Sequence, residues 1–154
     1  MPFTIYFSGS ITGGREDAPL YKRIVDYLTS RGHRVLAGSV AEQHLGKEGE
    51  ALEPKVIFER DMSWIAECAR DGGLLIAEVS KPSSGVGYEI AAARYLHKMP
   101  VICLWRRIHT PRCSAMIAGD SGIRLIVYDE LFMRHLFRDL DAVLAELAGA
   151  SAAG

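Results

Sequence analysis

The sequence predicts an α/β protein: a doubly wound, five-stranded parallel sheet of Rossmann-like or flavodoxin-like type, built in three layers. Three observations carry this. Short apolar runs alternate along the chain with stretches whose apolar residues recur at helical spacing. Glycine- and serine-rich segments follow the first and third apolar runs, where loops at strand ends belong. The size and composition, 154 residues with 49% hydrophobic and 24% charged, suit one compact domain that buries roughly 70% of its unfolded surface. Strands separated by helices must run parallel with right-handed crossovers.

In order, residues 3 to 7 form an apolar, aromatic strand that Ser8-Gly9-Ser10 and Gly13-Gly14 close. Asp17 is placed to cap a helix and Pro19 fits its first turn. Leu20, Ile24, Tyr27 and Leu28 make one face of that helix, and Gly32 ends it. Residues 33 to 37 form the second strand, and 38 to 52 a polar surface loop. A helix runs from Pro54 to about Ala69, a strand over 74 to 79, a helix over 86 to 97 and a strand over 101 to 105. After a loop with Pro111 and Gly119 come a strand over 123 to 127 and a helix striped by Phe132, Leu136, Leu140, Val143, Leu144 and Leu147. The domain therefore spans residues 1–147, and 148–154 are expected to fray.

Composition removes several classes of function. Eighteen basic against nineteen acidic residues, a formal charge of -1, give no field to attract a polymeric nucleic acid. Three cysteines, Cys68, Cys103 and Cys113, form no C-x-x-C pair and suit a reducing compartment. With no basic leader before the first strand and no apolar stretch near ~18 residues, a soluble cytoplasmic protein is expected, without membrane partners. His33, His44, His97, His109 and His135 do not cluster, so no metal is expected.

Ligands of such sheets sit beyond the carboxyl ends of the strands, which directs attention to residues 8–16, 80–89 and 106–119. Gly9-Ser10-Ile11-Thr12-Gly13-Gly14 begins like a phosphate loop but continues Arg15-Glu16, without the required Lys and Ser/Thr. It also fails the dinucleotide pattern, because Ile11 stands at the second glycine position. It remains either a loop whose backbone approaches a ligand or an ordinary turn. Pro82-Ser83-Ser84-Gly85-Val86-Gly87-Tyr88-Glu89 joins a buried strand to a helix through small, hydrogen-bonding residues. It can cradle a phosphate monoester at the helix amino terminus, with Glu89 one turn away, or be an N-cap followed by a first-turn glutamate.

Asp61 shares a helical stripe with Ile57, Trp64, Ile65 and Cys68, so its carboxylate points inward and must be hydrogen-bonded, paired or functional. Glu59 and Arg60 fall on other faces, where water can reach them. Tyr6 lies in the first strand beside the glycine loop, as core or as a hydroxyl reaching the crevice. No G-x-S-x-G elbow is present.

Jointly, Ile5-Tyr6-Phe7-Ser8-Gly9-Ser10-Ile11 with Gly13 to Asp17, Glu59-Arg60-Asp61, Pro82 to Glu89 and Ser114-Ala115-Met116-Ile117 resemble the 2′-deoxynucleoside 5′-phosphate N-hydrolases, the Rcl-type branch of the nucleoside deoxyribosyltransferase superfamily. The resemblance covers nearly all of residues 3 to 147 in one order. It implies a cofactor-free homodimeric N-glycosidase that cleaves deoxynucleoside monophosphates to free base and 2-deoxyribose 5-phosphate.

By position, Glu89 matches the nucleophile, Asp61 the carboxyl group assisting the departing base, and Tyr6 the positioning hydroxyl. Ser83, Gly85 and Gly87 match the phosphate cradle, and Gly9, Ser10 and Ile11 the first substrate loop. Ser114 matches a serine reaching the phosphate from the neighbouring subunit. Thr12 departs from the family, which often has Arg there. The expected division of labour is an ionised Glu89 in a helix first turn and a proton-holding Asp61 on an apolar face. The rivals are a deoxyribosyltransferase, which generally takes unphosphorylated nucleosides and carries an acidic residue near Ser83, and a non-catalytic nucleotide-binding module.

Overall fold

A computed structural model describes residues 1–11, 15–38, 40, 51–107 and 112–153. Its elements are β1 (Thr4–Gly9), α1 (Ala18–Ser30), β2 (Arg34–Leu36), α2 (Pro54–Arg70), β3 (Leu74–Glu78), α3 (Ser84–Ala91), β4 (Val101–Arg106), α4 (Ala115–Ala118), β5 (Ile123–Tyr128) and α5 (Met133–Ala152). Among the described residues the five strands form one sheet in the order β2-β1-β3-β4-β5, every neighbouring pair parallel. This is the flavodoxin-like order, and its switch point lies between β1 and β3.

The strand period of two divides the core. Ile5 and Phe7 of β1, Leu74 and Ile76 of β3, and Ile102 and Leu104 of β4 face Leu20, Ile24 and Leu28 of α1 and Leu136, Leu140 and Leu144 of α5. Tyr6, Leu75, Ala77, Val101 and Cys103 face Ile65 and Cys68 of α2 and Val86 and Ile90 of α3. Both layers need a close return from α2 to β3. Gly73 permits it, since a Cβ there would lie 2.1 Å from the Thr4 carbonyl oxygen. No helix among the described residues is long and apolar enough to cross a membrane.

The structure departs from expectation in instructive places. Asp17 stands at the amino end of α1 but makes no capping hydrogen bond, because its carboxylate pairs with Arg106. The helix expected from residue 86 begins at Ser84, and its end is a π-helical turn over Ala92–Leu96. Phe132 is 49% exposed, and Met133 takes the buried place at the head of the α5 stripe. In place of a frayed tail from residue 148, α5 continues to Ala152, through alanines that favour the helix. Thr12 and most of the 38–52 loop lie outside the described residues.

Candidate active site

The site is assembled at the switch point. Tyr6 and Ser8 are two apart on β1, so both side chains face α3, and both reach the same carboxylate. The Tyr6 hydroxyl donates to Glu89 Oε1 at 3.2 Å and the Ser8 hydroxyl donates to Oε2. Glu89 is the sixth residue of α3, in its second turn rather than the first, so the hydroxyls and not the helix amino terminus hold it.

Asp61 projects from α2 into the same cleft, its side chain 14% exposed, with Arg60 Nε at 2.8 Å from Oδ1. The Arg60 guanidinium lies over the Trp64 ring, 5.0 Å from its centroid. Arg60 is therefore not the solvated residue that helical spacing suggested. It lines the cleft, and the two adjacent side chains turn toward each other.

A cleft of about 460 Å³ is bounded by Tyr6, Gly9, Ser10 and Ile11 on one side, Ile57, Arg60 and Asp61 on another, and Pro82–Val86 with Glu89 on the third. Tyr6, Gly9, Ser10, Ile11, Asp61, Ser83, Gly85 and Glu89 thus meet in one place. Gly87 and Ser114 do not: both line an adjoining cavity of about 620 Å³ that shares Pro82, Ser83, Ser84 and Val86 with the cleft. Ser114 sits exposed at the amino end of α4, and its side chain makes no cap.

Electrostatics alters the expected division of roles. Burial pushes the Glu89 carboxyl up to about 7; the Ser8 and Tyr6 hydrogen bonds oppose the rise, the Asp61 charge adds to it, and Arg60 opposes it. Glu89 is thus poised near neutrality instead of standing firmly ionised. Tyr6 is raised far above the usual phenol range, first by burial and then by the Glu89 and Asp61 charges, so it remains a neutral donor.

The start of α3 has a definite hydrogen-bond pattern. Ser83 Oγ accepts from the Val86 N–H at 3.3 Å, which makes it the N-cap and leaves its O–H as a donor. The Gly87 N–H donates to the Ser83 carbonyl at 3.1 Å, so it belongs to the helix and gives no amide to a cradle. A Cβ on Gly87 would meet nothing within 4 Å, and one on Gly85 only Ser83 Oγ at 3.8 Å, so neighbouring side chains do not fill that space.

Sequence reasoning missed Ser8 and Arg60. The signal for Ser8 was its parity with Tyr6 in a strand where a polar residue is otherwise out of place. For Arg60 the signal was only its adjacency to Asp61 and its four-residue spacing from Trp64.

The chain is similar to known proteins in sequence and in fold. Residues 5–123 match the family model described as nucleoside 2-deoxyribosyltransferase. A mouse protein named 5-hydroxymethyl-dUMP N-hydrolase is 44% identical over 132 residues, 84% of this chain and 73% of that protein. The human protein of the same name is 42% identical over 128 residues, 81% of this chain and 70% of its own. Among solved structures, a Clostridium botulinum CMP N-glycosidase superposes with a TM-score of 0.61 at 18% identity, covering 90% of this chain and 99% of that one. That likeness supports the α/β fold.

Proposed function

The chain belongs to the nucleoside 2-deoxyribosyltransferase family, and from that premise we propose that it is an N-glycosidase hydrolysing 2′-deoxynucleoside 5′-monophosphates to free base and 2-deoxyribose 5-phosphate. The observation that carries this reading is Glu89, held by the Tyr6 and Ser8 hydroxyls in one cleft with Asp61 and the start of α3.

In the proposed reaction an ionised Glu89 oxygen attacks the anomeric carbon while the bond from that carbon to the base nitrogen breaks. The bonding pair leaves with the base, and the transition state is oxocarbenium-like. Asp61, oriented by Arg60, gives a proton to the departing base nitrogen. Water then attacks the anomeric carbon of the glycosyl ester, giving one proton to Asp61 as the bond to the Glu89 oxygen breaks, which restores the Glu89 carboxylate and leaves the sugar with a hydroxyl. Tyr6 steers Glu89 and stabilises its charge. Ser83, Ser84 and the amide of Gly85 receive the 5′-phosphate, and Gly9 to Ile11 close the sugar side. Ser83 also argues against the transferase alternative, because a hydroxyl donates to a phosphate where an acidic side chain would repel it.

A homodimer completes the reading. Ser114 stands outside the cleft of its own chain, and exposed Tyr95 and Met116 line the adjoining cavity. A second copy seated there would bring its Ser114 to the phosphate. No cofactor takes part, and free thiols at Cys68, Cys103 and Cys113 suit a cytoplasmic setting.

The test is base release from deoxynucleoside and ribonucleoside monophosphates, 5-hydroxymethyl-dUMP included, beside the same nucleosides without phosphate. The expected result is turnover of deoxynucleotides and weak turnover of nucleosides; equal kcat/KM for the two would favour the transferase. Mixing Glu89→Gln with Ser114→Asp chains tests the shared site: activity returns in exchanged heterodimers if Ser114 acts in trans, and stays absent if it serves its own chain.

A further inference from the structure

On the face of the sheet opposite Glu89 lies a second polar cluster that the reaction does not use. Glu78, the last residue of β3, is fully buried; Arg106, the last of β4, is 2% exposed and Asp17 is 5% exposed. Tyr128, the last of β5, donates to Glu78 Oε1 at 3.0 Å. Arg106 pairs with Asp17 and, at 3.1 Å, with Glu130, while its Nε lies 3.5 Å from Glu78 Oε1. Glu78, Arg106 and Tyr128 end their strands and Glu130 follows β5, while Asp17 stands at the amino end of α1.

Ser80 ties this cluster to the site. Its hydroxyl donates to Glu78 Oε1 and accepts from the Arg106 backbone N–H at 2.7 Å, and its own N–H donates to Glu78 Oε2 at 3.3 Å. The Ser80 side chain is thereby fixed in both hydrogen-bonding directions, three residues before Ser83 caps α3. On the far side of the same anchor, Asp17 fixes the return of the β1–α1 connection. A buried set of charges is a demanding way to hold a sheet together, since apolar side chains do it as well. Its directional bonds do something apolar packing cannot, which is to fix one loop trajectory.

We infer that Ser80, locked by Glu78 and Arg106, is a positioning residue that sets the α3 amino terminus for a phosphate monoester. This rests on the reading above that the substrate carries a 5′-phosphate. Phosphate held in the correct place aligns the anomeric carbon with Glu89, so the anchor acts on phosphorylated substrates alone.

The experiment compares kcat/KM for the best-cleaved deoxynucleotide and its dephosphorylated nucleoside in wild type, Ser80→Ala and Tyr128→Phe. Ser80→Ala should lower the nucleotide value about tenfold, chiefly through KM, and leave the nucleoside value within about twofold. Tyr128→Phe removes a hydrogen bond from the same carboxylate without touching the loop. It should lower Tm and leave the nucleotide-to-nucleoside ratio unchanged. If Ser80→Ala does not fold, Ser80→Cys, with similar shape and weaker hydrogen bonds, should lower the ratio in part. An unchanged ratio in the Ser80 variant, or an equal fall in Tyr128→Phe, overturns the inference while the nucleotide preference of the wild type stands. A wild type without that preference overturns the underlying reading as well.

Discussion

Glu78 and Glu89 are two carboxylates on opposite faces of one sheet, and burial pushes both upward from the ordinary glutamate range. Their surroundings then diverge. Glu78 accepts from the Ser80 hydroxyl and amide and from the Tyr128 hydroxyl, and the Arg106 guanidinium adds a positive charge, its Nε 3.5 Å from Oε1. Glu89 is met by two hydroxyls, and among the described residues no cation lies within ion-pair distance of it. Its other side opens on the cleft. A buried carboxylate saturated by fixed donors is a structural anchor; one left short of donors and facing a cavity retains the capacity to react.

The largest effect should come from Glu89→Gln. Turnover in the base-release assay should fall by at least about 10³-fold, because the amide keeps the shape and cannot attack. The same variant should gain stability relative to wild type as pH rises. Glu89 binds its proton more tightly folded than unfolded, so its favourable contribution is complete below the ordinary carboxyl range and is lost as pH climbs through about 7. By pH 8 the variant should be ahead by roughly 1–3 kcal/mol in denaturant titrations, a gain that should vanish at pH 4.

Glu78→Gln should behave in the opposite way. The amide turns an NH2 group toward neighbours that donate to the carboxylate, leaving buried donors of Ser80 or Tyr128 unpaired, and the loss should be about 3 kcal/mol. Thermal unfolding reads this directly, and a variant as stable as wild type would erase the distinction between the two glutamates.

Tyr6→Phe deletes one of the two hydroxyls on Glu89. The rate should fall about tenfold, with the acid limb of kcat/KM moving up from about 7, since that hydrogen bond favours the ionised form. Arg60→Gln should give the smallest effect, a modest rise of the same limb through loss of a nearby positive charge. A downward shift in either variant would show that the carboxylate titrating in the profile is not Glu89.

The division between the two glutamates was only half legible in the sequence. Strand and helix alternation placed the sheet, and the loop from Pro82 to Glu89 marked Glu89, because small residues after a buried apolar run are unusual enough to notice. Asp61 was found by its position on an apolar stripe. Glu78, at the end of Leu-Leu-Ile-Ala, carried no such mark: its partners Asp17, Arg106 and Tyr128 come from distant segments that only the strand order brings together. Arg60 was assigned to solvent by helical spacing, which fixes the direction of a Cβ but not the reach of a long side chain. Ser114 was identified by resemblance, and its place in the adjoining cavity could not be inferred from local pattern.

The bond from Tyr6 to Glu89 spans 83 positions of the chain. It joins β1 to the helix after β3 across the switch point, so no contiguous fragment short of that length can contain the reactive pair. Long loops of this kind close late, after local helices have formed, because closure entropy must be met before the distant contact forms. When the protein refolds from denaturant, far-ultraviolet ellipticity should therefore recover ahead of base release, and the lag between the two signals times the docking of β1 against β3.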